Sequence, residues 1–299
     1  MNATPEDEVV EEVEESRFPI YPTLMTLGNA ICGLAAIGLA TKSVVSSDAV
    51  AEGTTLMMGV AEAQSLQYAG VLIFLGILFD TLDGQVARWT NQTSRFGMHL
   101  DSLCDVITFG VAPAFIMLAF SDTLHPRFIR GIAGIYTLCA ILRLARYNVQ
   151  AETESGVGSY FRGLPSPAAA GTIATFAMAM PDIIVLLNSL ESHDESLGQV
   201  LYALFMVVVP LLTVVLACLM VSRVPYPHIG KHLANREKSR KNFVKLVQIL
   251  FAVIVILIFK ELALPMIFVY YVTAPPCVVA WRNLVKRRPA VEKVEADLS

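Results

Sequence analysis

Long apolar runs separated by short polar links dominate the chain. A helix that crosses a bilayer needs about 20 apolar residues. The pattern predicts eight spans, at 19–41, 67–88, 101–121, 128–150, 165–190, 200–222, 243–260 and 264–285. The stretch 42–66, with its Ser, Asp and Glu residues, reads as the longest non-spanning link after the first helix. The expected fold is therefore an all-α polytopic membrane protein, a single bundle of about eight transmembrane helices.

Composition supports this reading. Of the 299 residues, 55% are hydrophobic and 16% charged, too little charge to cover a soluble domain. The formal net charge of -4 hides an asymmetry, because seven acids lie in the first 15 residues. Residues 1–17 read as an acidic, disordered tail, 18–285 as the membrane domain and 286–299 as a C-terminal tail. An acidic start is unlike a secretory signal peptide, and no basic stripe suggests nucleic acid. Cys32, Cys104, Cys139, Cys218 and Cys277 lie in apolar stretches without CxxC spacing, and read as small core hydrophobes. One set of loops and tails holds 18 Lys and Arg against 4 on the other side (Lys42, Arg127, Arg130, Lys260). Positive residues favour the cytoplasm, so both termini and the basic loop 223–245 are expected there. The protein is expected in a bacterial or archaeal cell membrane, with its active site on the cytoplasmic side.

The apolar pattern breaks in one informative place. The second span runs VLIFLGILFDTLDGQVARWT, so Asp80 and Asp83 come after a run of apolar residues, and the third begins GMHLDSLCDVITFG, with Asp101 and Asp105. Carboxylates inside a membrane are costly and mark function by default. Asp80, Asp83, Ala87 and Arg88 fall on one helix face, as do Asp101 and Asp105. A link of about a dozen residues brings the two faces together. Four converging carboxylates would repel one another, and one or two hard divalent cations, Mg2+ or Mn2+, are the natural compensation. Two such ions can clamp a diphosphate. Gly84, Ala87 and Gly97 leave room for a bulky polar ligand.

From Asp80 to Asp105 the residues read D-x2-D-G-x2-A-R-x8-G-x3-D-x3-D. This string resembles the signature of the CDP-alcohol phosphatidyltransferase family, with every fixed position filled. The resemblance implies that Asp80, Asp83, Asp101 and Asp105 are metal ligands, that Asp105 is also general base on the attacking hydroxyl, and that Gly84, Ala87, Arg88 and Gly97 line the CDP site. Further segments, FPIYPTLMTLGNAICGLAAI, ILRLARYNVQ, YFRGLPSPAAAG and SRVPYPHIGK, are similar to the integral-membrane phosphatidylserine synthases of that family. Many relatives have Pro-Asn where this chain has YPT at 21–23, which weakens a role for Thr23 and leaves Thr26 and Asn29 as candidate CDP contacts. By this resemblance the substrates are CDP-diacylglycerol and L-serine, the products phosphatidylserine and CMP, and the assembly a homodimer.

Physical chemistry adds candidates for the acceptor. Arg143 and Arg146 end the fourth span, and Arg162 lies in the next loop. A guanidinium can grip the serine carboxylate bidentately, with Arg146 first among the three and Tyr147 and Asn148 as further polar contacts. The alternative for each is a positive-inside anchor. A different acceptor, namely glycerol 3-phosphate, inositol phosphate or choline, would keep the chemistry. A transporter would place its acids near the midplane and show internal repeats, and a scaffold would leave four metal-ligand positions unexplained. His99 reads as an interfacial residue, Pro113, Pro181 and Pro275 as tolerated kinks, and Gly131 and Gly134 as close-packing positions.

Overall fold

The computed structural model describes residues 20–50, 59–90, 94–120, 124–153, 160–191, 195–227 and 263–296. In chain order the elements are α1 (Ile20–Val50), α2 (Val60–Trp89), α3 (Arg95–Asp105), a π-helical turn (Val106–Val111) and α4 (Ala112–Leu118). They continue with α5 (Pro126–Thr153), β1 (Tyr160–Arg162), α6 (Ser166–Glu191), α7 (Glu195–Val221), β2 (Pro225–Pro227) and α8 (Ala263–Ala296).

Six helical segments among the described residues are long and apolar enough to cross a membrane: Ile20–Ser43, Val60–Ala87, Phe96–Leu118, Pro126–Val149, Ser166–Ser189 and Leu197–Val221. They match the first six expected spans. The seventh, 243–260, lies outside the described residues, as do the acidic tail and most of the basic loop. The eighth corresponds to α8, whose apolar stretch Ala263–Val279 is shorter. Outward-facing side chains such as Ile31, Leu138 and Leu211 are more than half exposed, as a lipid-facing surface requires. The protein is an integral membrane protein.

The expected link 42–66 is shorter than its polarity suggested. Helix α1 continues to Val50, and α2 begins at Val60 rather than 67. The start of α2 is fixed by a reciprocal cap. The Gly59 N–H donates to the Glu62 carboxylate at 2.9 Å, and Ala63 N–H donates to the Gly59 carbonyl at 3.0 Å. Glu62 is thus a helix-start residue, and Ala63 and Leu66 behind it are fully buried.

Small residues set how closely the helices approach. A Cβ on Gly33 of α1 would lie 2.5 Å from Thr108 Oγ1, and one on Gly76 of α2 would lie 2.6 Å from Thr108 Cγ2. The π-helical turn therefore seats Thr108 in a notch between α1 and α2 that only glycines leave open. There the Thr108 hydroxyl donates to the Asn29 carbonyl at 2.9 Å. Gly131 and Gly134, by contrast, have open space where a Cβ would stand, so they do not pack against another described helix of this chain.

Pro113 lies within the continuous helical span Phe96–Leu118. It comes after the π-helical turn, in the first turn of α4. A proline there cannot donate to the carbonyl four residues back, which is that of Phe109. The Phe109 carbonyl instead accepts from Tyr136 Oη of α5 at 3.1 Å, and the Gly110 carbonyl accepts from Thr137 Oγ1 at 3.4 Å. Pro181 does lie inside a helix, α6. The five cysteines are free thiols. Cys32 and Cys104 are buried and Cys139 half-buried, but Cys218 and Cys277 are exposed on apolar helices, where a small apolar side chain can meet lipid as well as core.

At one end of the bundle the links are tied together. Strands β1 and β2 pair antiparallel, with Phe161 opposite Tyr226. Gly163 comes next at φ 91, and its N–H donates to the Val224 carbonyl at 2.9 Å. A Cβ there would meet the Met220 carbonyl at 2.5 Å, so glycine is required twice over. Leu164 N–H donates to the Leu219 carbonyl, and Tyr226 Oη to the Val272 carbonyl of α8, both at 3.0 Å.

Candidate active site

The end of α2 and the start of α3 meet beside the start of α1. Oxygens of Asp80, Asp101 and Asp105 lie within 4.8 Å of one another. The expectation that two helix faces converge is realised in these three side chains. Asp83 points slightly aside. It accepts from Thr26 Oγ1 at 3.0 Å. Asp83 and Asp105 are buried, Asp80 and Asp101 half-buried.

Helix geometry explains the arrangement. Asp80 and Asp83 are one turn apart on α2, and Asp101 and Asp105 one turn apart on α3. Helix α3 starts cleanly because Ser94 caps it, accepting from Gly97 N–H at 3.0 Å. The π-helical turn begins immediately after Asp105. An extra residue in a helical turn rotates the rest of the helix about its axis, and such turns are frequent at functional sites.

Two residues expected near CDP also hold carboxylates. Thr26 holds Asp83, and Asn29 Nδ2 donates to Asp105 Oδ1 at 3.0 Å. Both are buried in α1. Their spacing of three residues puts them on one face, but nothing in the α1 sequence says that this face meets α2 and α3.

A cavity of about 280 Å³ opens beside the carboxylates, lined among others by Thr23, Thr26, Asp83, Gly84, Ala87, Gly97 and Asp101. Thus Gly84, Ala87 and Gly97 share one wall system, as their spacing predicted. A Cβ on Gly84 would meet nothing within 4 Å, so the cavity reaches the backbone there. Arg88 lies one turn beyond Gly84 on α2, and its side chain lies outside the described residues. His99 is exposed near the start of α3.

The carboxylate group fits a metal ion on its own chemistry. The donors are hard oxygens, and Asp101 Oδ1 is buried with no hydrogen-bond partner. A buried carboxylate oxygen without a donor is strongly disfavoured, and a cation would satisfy it. The Asp80, Asp101 and Asp105 cluster can therefore hold a metal ion.

The three arginines separate. Arg143 is half-buried, and its Nη1 donates to Ser166 Oγ at 2.6 Å. Its Nε is buried without a partner. Arg146 is exposed, with Nη1 3.4 Å from the Val221 carbonyl. Arg162 lies in β1, and its side chain is outside the described residues. Asn148 pairs with Ser102 of α3, its Nδ2 donating to Ser102 Oγ at 2.9 Å, and Tyr147 is exposed. Ser166 had no signal in the sequence, because a serine at a helix start reads only as a capping residue.

Comparison with known proteins matches residues 20–215 to the family model for CDP-alcohol phosphatidyltransferase. An archaetidylserine synthase from Methanothermobacter thermautotrophicus is 48% identical over 115 residues, 38% of this chain and 47% of that protein. CDP-diacylglycerol–serine O-phosphatidyltransferase from Helicobacter pylori is 34% identical over 177 residues, 58% of this chain and 68% of the relative. The Bacillus subtilis protein of the same name is 32% identical over 224 residues, 74% of this chain and 98% of the relative. The match thus spans about half the length of the first relative, two thirds of the second and nearly all of the third.

Proposed function

For this chain, which belongs to the CDP-alcohol phosphatidyltransferase family, we propose transfer of a phosphatidyl group from CDP-diacylglycerol to L-serine, yielding phosphatidylserine and CMP. The observation that carries the reading is the carboxylate cluster of Asp80, Asp101 and Asp105 beside a cavity walled by Gly84, Ala87 and Gly97. Serine is the acceptor common to the names of the relatives above.

Each residue has a distinct task. Asp80, Asp83, Asp101 and Asp105 hold divalent metal, two ions of Mg2+ or Mn2+. When bound, such ions supply positive charge to the diphosphate and to the departing CMP. Gly84, Ala87, Gly97 and Arg88 receive the CDP moiety. Asp105 is the general base. A serine hydroxyl is a weak nucleophile at neutral pH and needs a positioned proton acceptor. As Asp105 takes its proton, the serine oxygen forms a bond to the lipid-bearing phosphorus. The bond from that phosphorus to the bridging oxygen breaks, and its electron pair leaves with CMP. Nothing in the cluster is an obvious covalent nucleophile, so the transfer is one direct displacement in a ternary complex. Arg143 receives the serine carboxylate.

The site faces the cytoplasm, as the charge bias supports. The identity to an archaetidylserine synthase favours a second reading of the lipid alone, in which an ether-linked CDP-lipid replaces the diacyl one. The test is incorporation of radiolabelled L-serine into lipid by purified protein supplied with CDP-diacylglycerol or CDP-archaeol. Product with either supports serine as acceptor and identifies the lipid. Product with glycerol 3-phosphate, inositol phosphate or choline but none with serine would overturn the proposal.

A further inference from the structure

We propose that Ser166 is a positioning residue for acceptor specificity, turning the Arg143 guanidinium so that its side edge is free to bind a carboxylate. The inference rests on the serine-transfer reading above and adds a residue to it.

The guanidinium has two edges that can take a carboxylate. One is formed by Nη1 and Nη2, the other by Nε and Nη2. Ser166 Oγ accepts from Nη1 at 2.6 Å, which blocks the first edge. The second contains Nε, which is buried and unpartnered. A buried donor without an acceptor is destabilising and rare, and a carboxylate lying side-on against Nε and Nη2 would satisfy it with two parallel charge-assisted bonds.

Ser166 is well fixed for this task. It is fully buried and is the first residue of α6, directly after the turn that Gly163 and Leu164 tie to the end of α7. Its backbone is therefore anchored to α7 independently of Arg143. The location also matters electrostatically. A helix N-terminus carries partial positive charge, so a cation held there is unfavourable until an anion joins it.

The test pairs one substitution with two acceptors. Serinol keeps the hydroxyl and ammonium of serine but replaces the carboxylate with a hydroxymethyl group. Purified wild-type protein and Ser166→Ala are assayed for CMP release at saturating CDP-lipid, varying L-serine or serinol. The expected result is that Ser166→Ala raises the KM for L-serine about tenfold, the size of one lost charge-assisted bond. The KM for CDP-lipid and the kcat/KM for serinol should stay within about twofold of wild type. Equal losses on both acceptors would reduce Ser166 to a packing residue, and an unchanged KM for L-serine would remove its role altogether. Either outcome overturns the inference while leaving serine transfer intact. Wild-type protein that releases CMP with glycerol 3-phosphate and not with L-serine would instead overturn the parent reading, and this assignment with it.

Discussion

The Asn29 side-chain amide donates to the Asp105 carboxylate at 3.0 Å, and the carbonyl of the same residue accepts from Thr108 at 2.9 Å. One residue of α1 thus holds both the proposed base and the π-helical turn next to it. A carboxylate held by an amide donor has a defined orientation, and its other oxygen is left for metal or substrate.

This relationship separates two roles for Asn29. If it orients Asp105, Asn29→Ala should lower kcat about tenfold and leave the KM for CDP-lipid within about twofold. Steady-state kinetics with both substrates varied measures this. A raised CDP-lipid KM at unchanged kcat would return Asn29 to the role of nucleotide contact.

Asp105→Asn keeps the shape and removes the proton acceptor. Turnover should fall by roughly 10²-fold or more, while equilibrium binding of CDP-lipid persists. Asp83→Asn should weaken metal and CDP-lipid binding together. Ping-pong kinetics, or CMP exchange in the absence of serine, would rule out direct displacement.

Metal removal should act on stability as well as rate. EDTA should abolish activity, and Mg2+ or Mn2+ should restore it. An ion that binds only the folded cluster, at about 100 times its Kd, should add ~2.7 kcal/mol of stability, seen as a higher melting temperature in detergent. Asp101→Asn should shrink that increment. An unchanged melting temperature on chelation would argue against an ion between Asp80, Asp101 and Asp105.

Orientation can be read by labelling. Lys42 and Arg223 are both exposed and lie toward opposite ends of the bundle. In a protein lacking its five native cysteines, Arg223→Cys should react with an impermeant maleimide only from the cytoplasmic face, and Lys42→Cys only from the other. The reverse pattern would overturn the orientation.

The parts of this site visible in sequence are those whose meaning is carried by local spacing. Asp80 with Asp83, and Asp101 with Asp105, are one helical turn apart, so helix geometry alone gives their shared faces. Gly84, Ala87 and Gly97 are legible for the same reason. The hidden parts depend on which helix packs on which. Thr26 and Asn29 are legible only as candidate CDP contacts, and their hold on Asp83 and Asp105 appears once α1 is laid against α2 and α3. Read as helix-end cations, Arg146 ranks ahead of Arg143, yet the fold half-buries Arg143 and exposes Arg146. Glu62 reads as loop chemistry, and only the Gly59 contact reveals it as a cap. Apolar periodicity cannot register the π-helical turn, because one displaced hydrogen bond leaves the composition of the span unchanged.

Pro113 and Tyr136 bear on the order in which the bundle is assembled. The span Phe96–Leu118 carries a Phe109 carbonyl that its own helix cannot pair with a donor at Pro113, and hydrocarbon offers no water in its place. A side-chain donor for it, Tyr136, is on the next span to leave the ribosome. Docking of Pro126–Val149 therefore gives this carbonyl a donor that Pro113 of its own span cannot supply. Insertion of these two spans as a hairpin, rather than singly, is the route that keeps this carbonyl out of bare lipid.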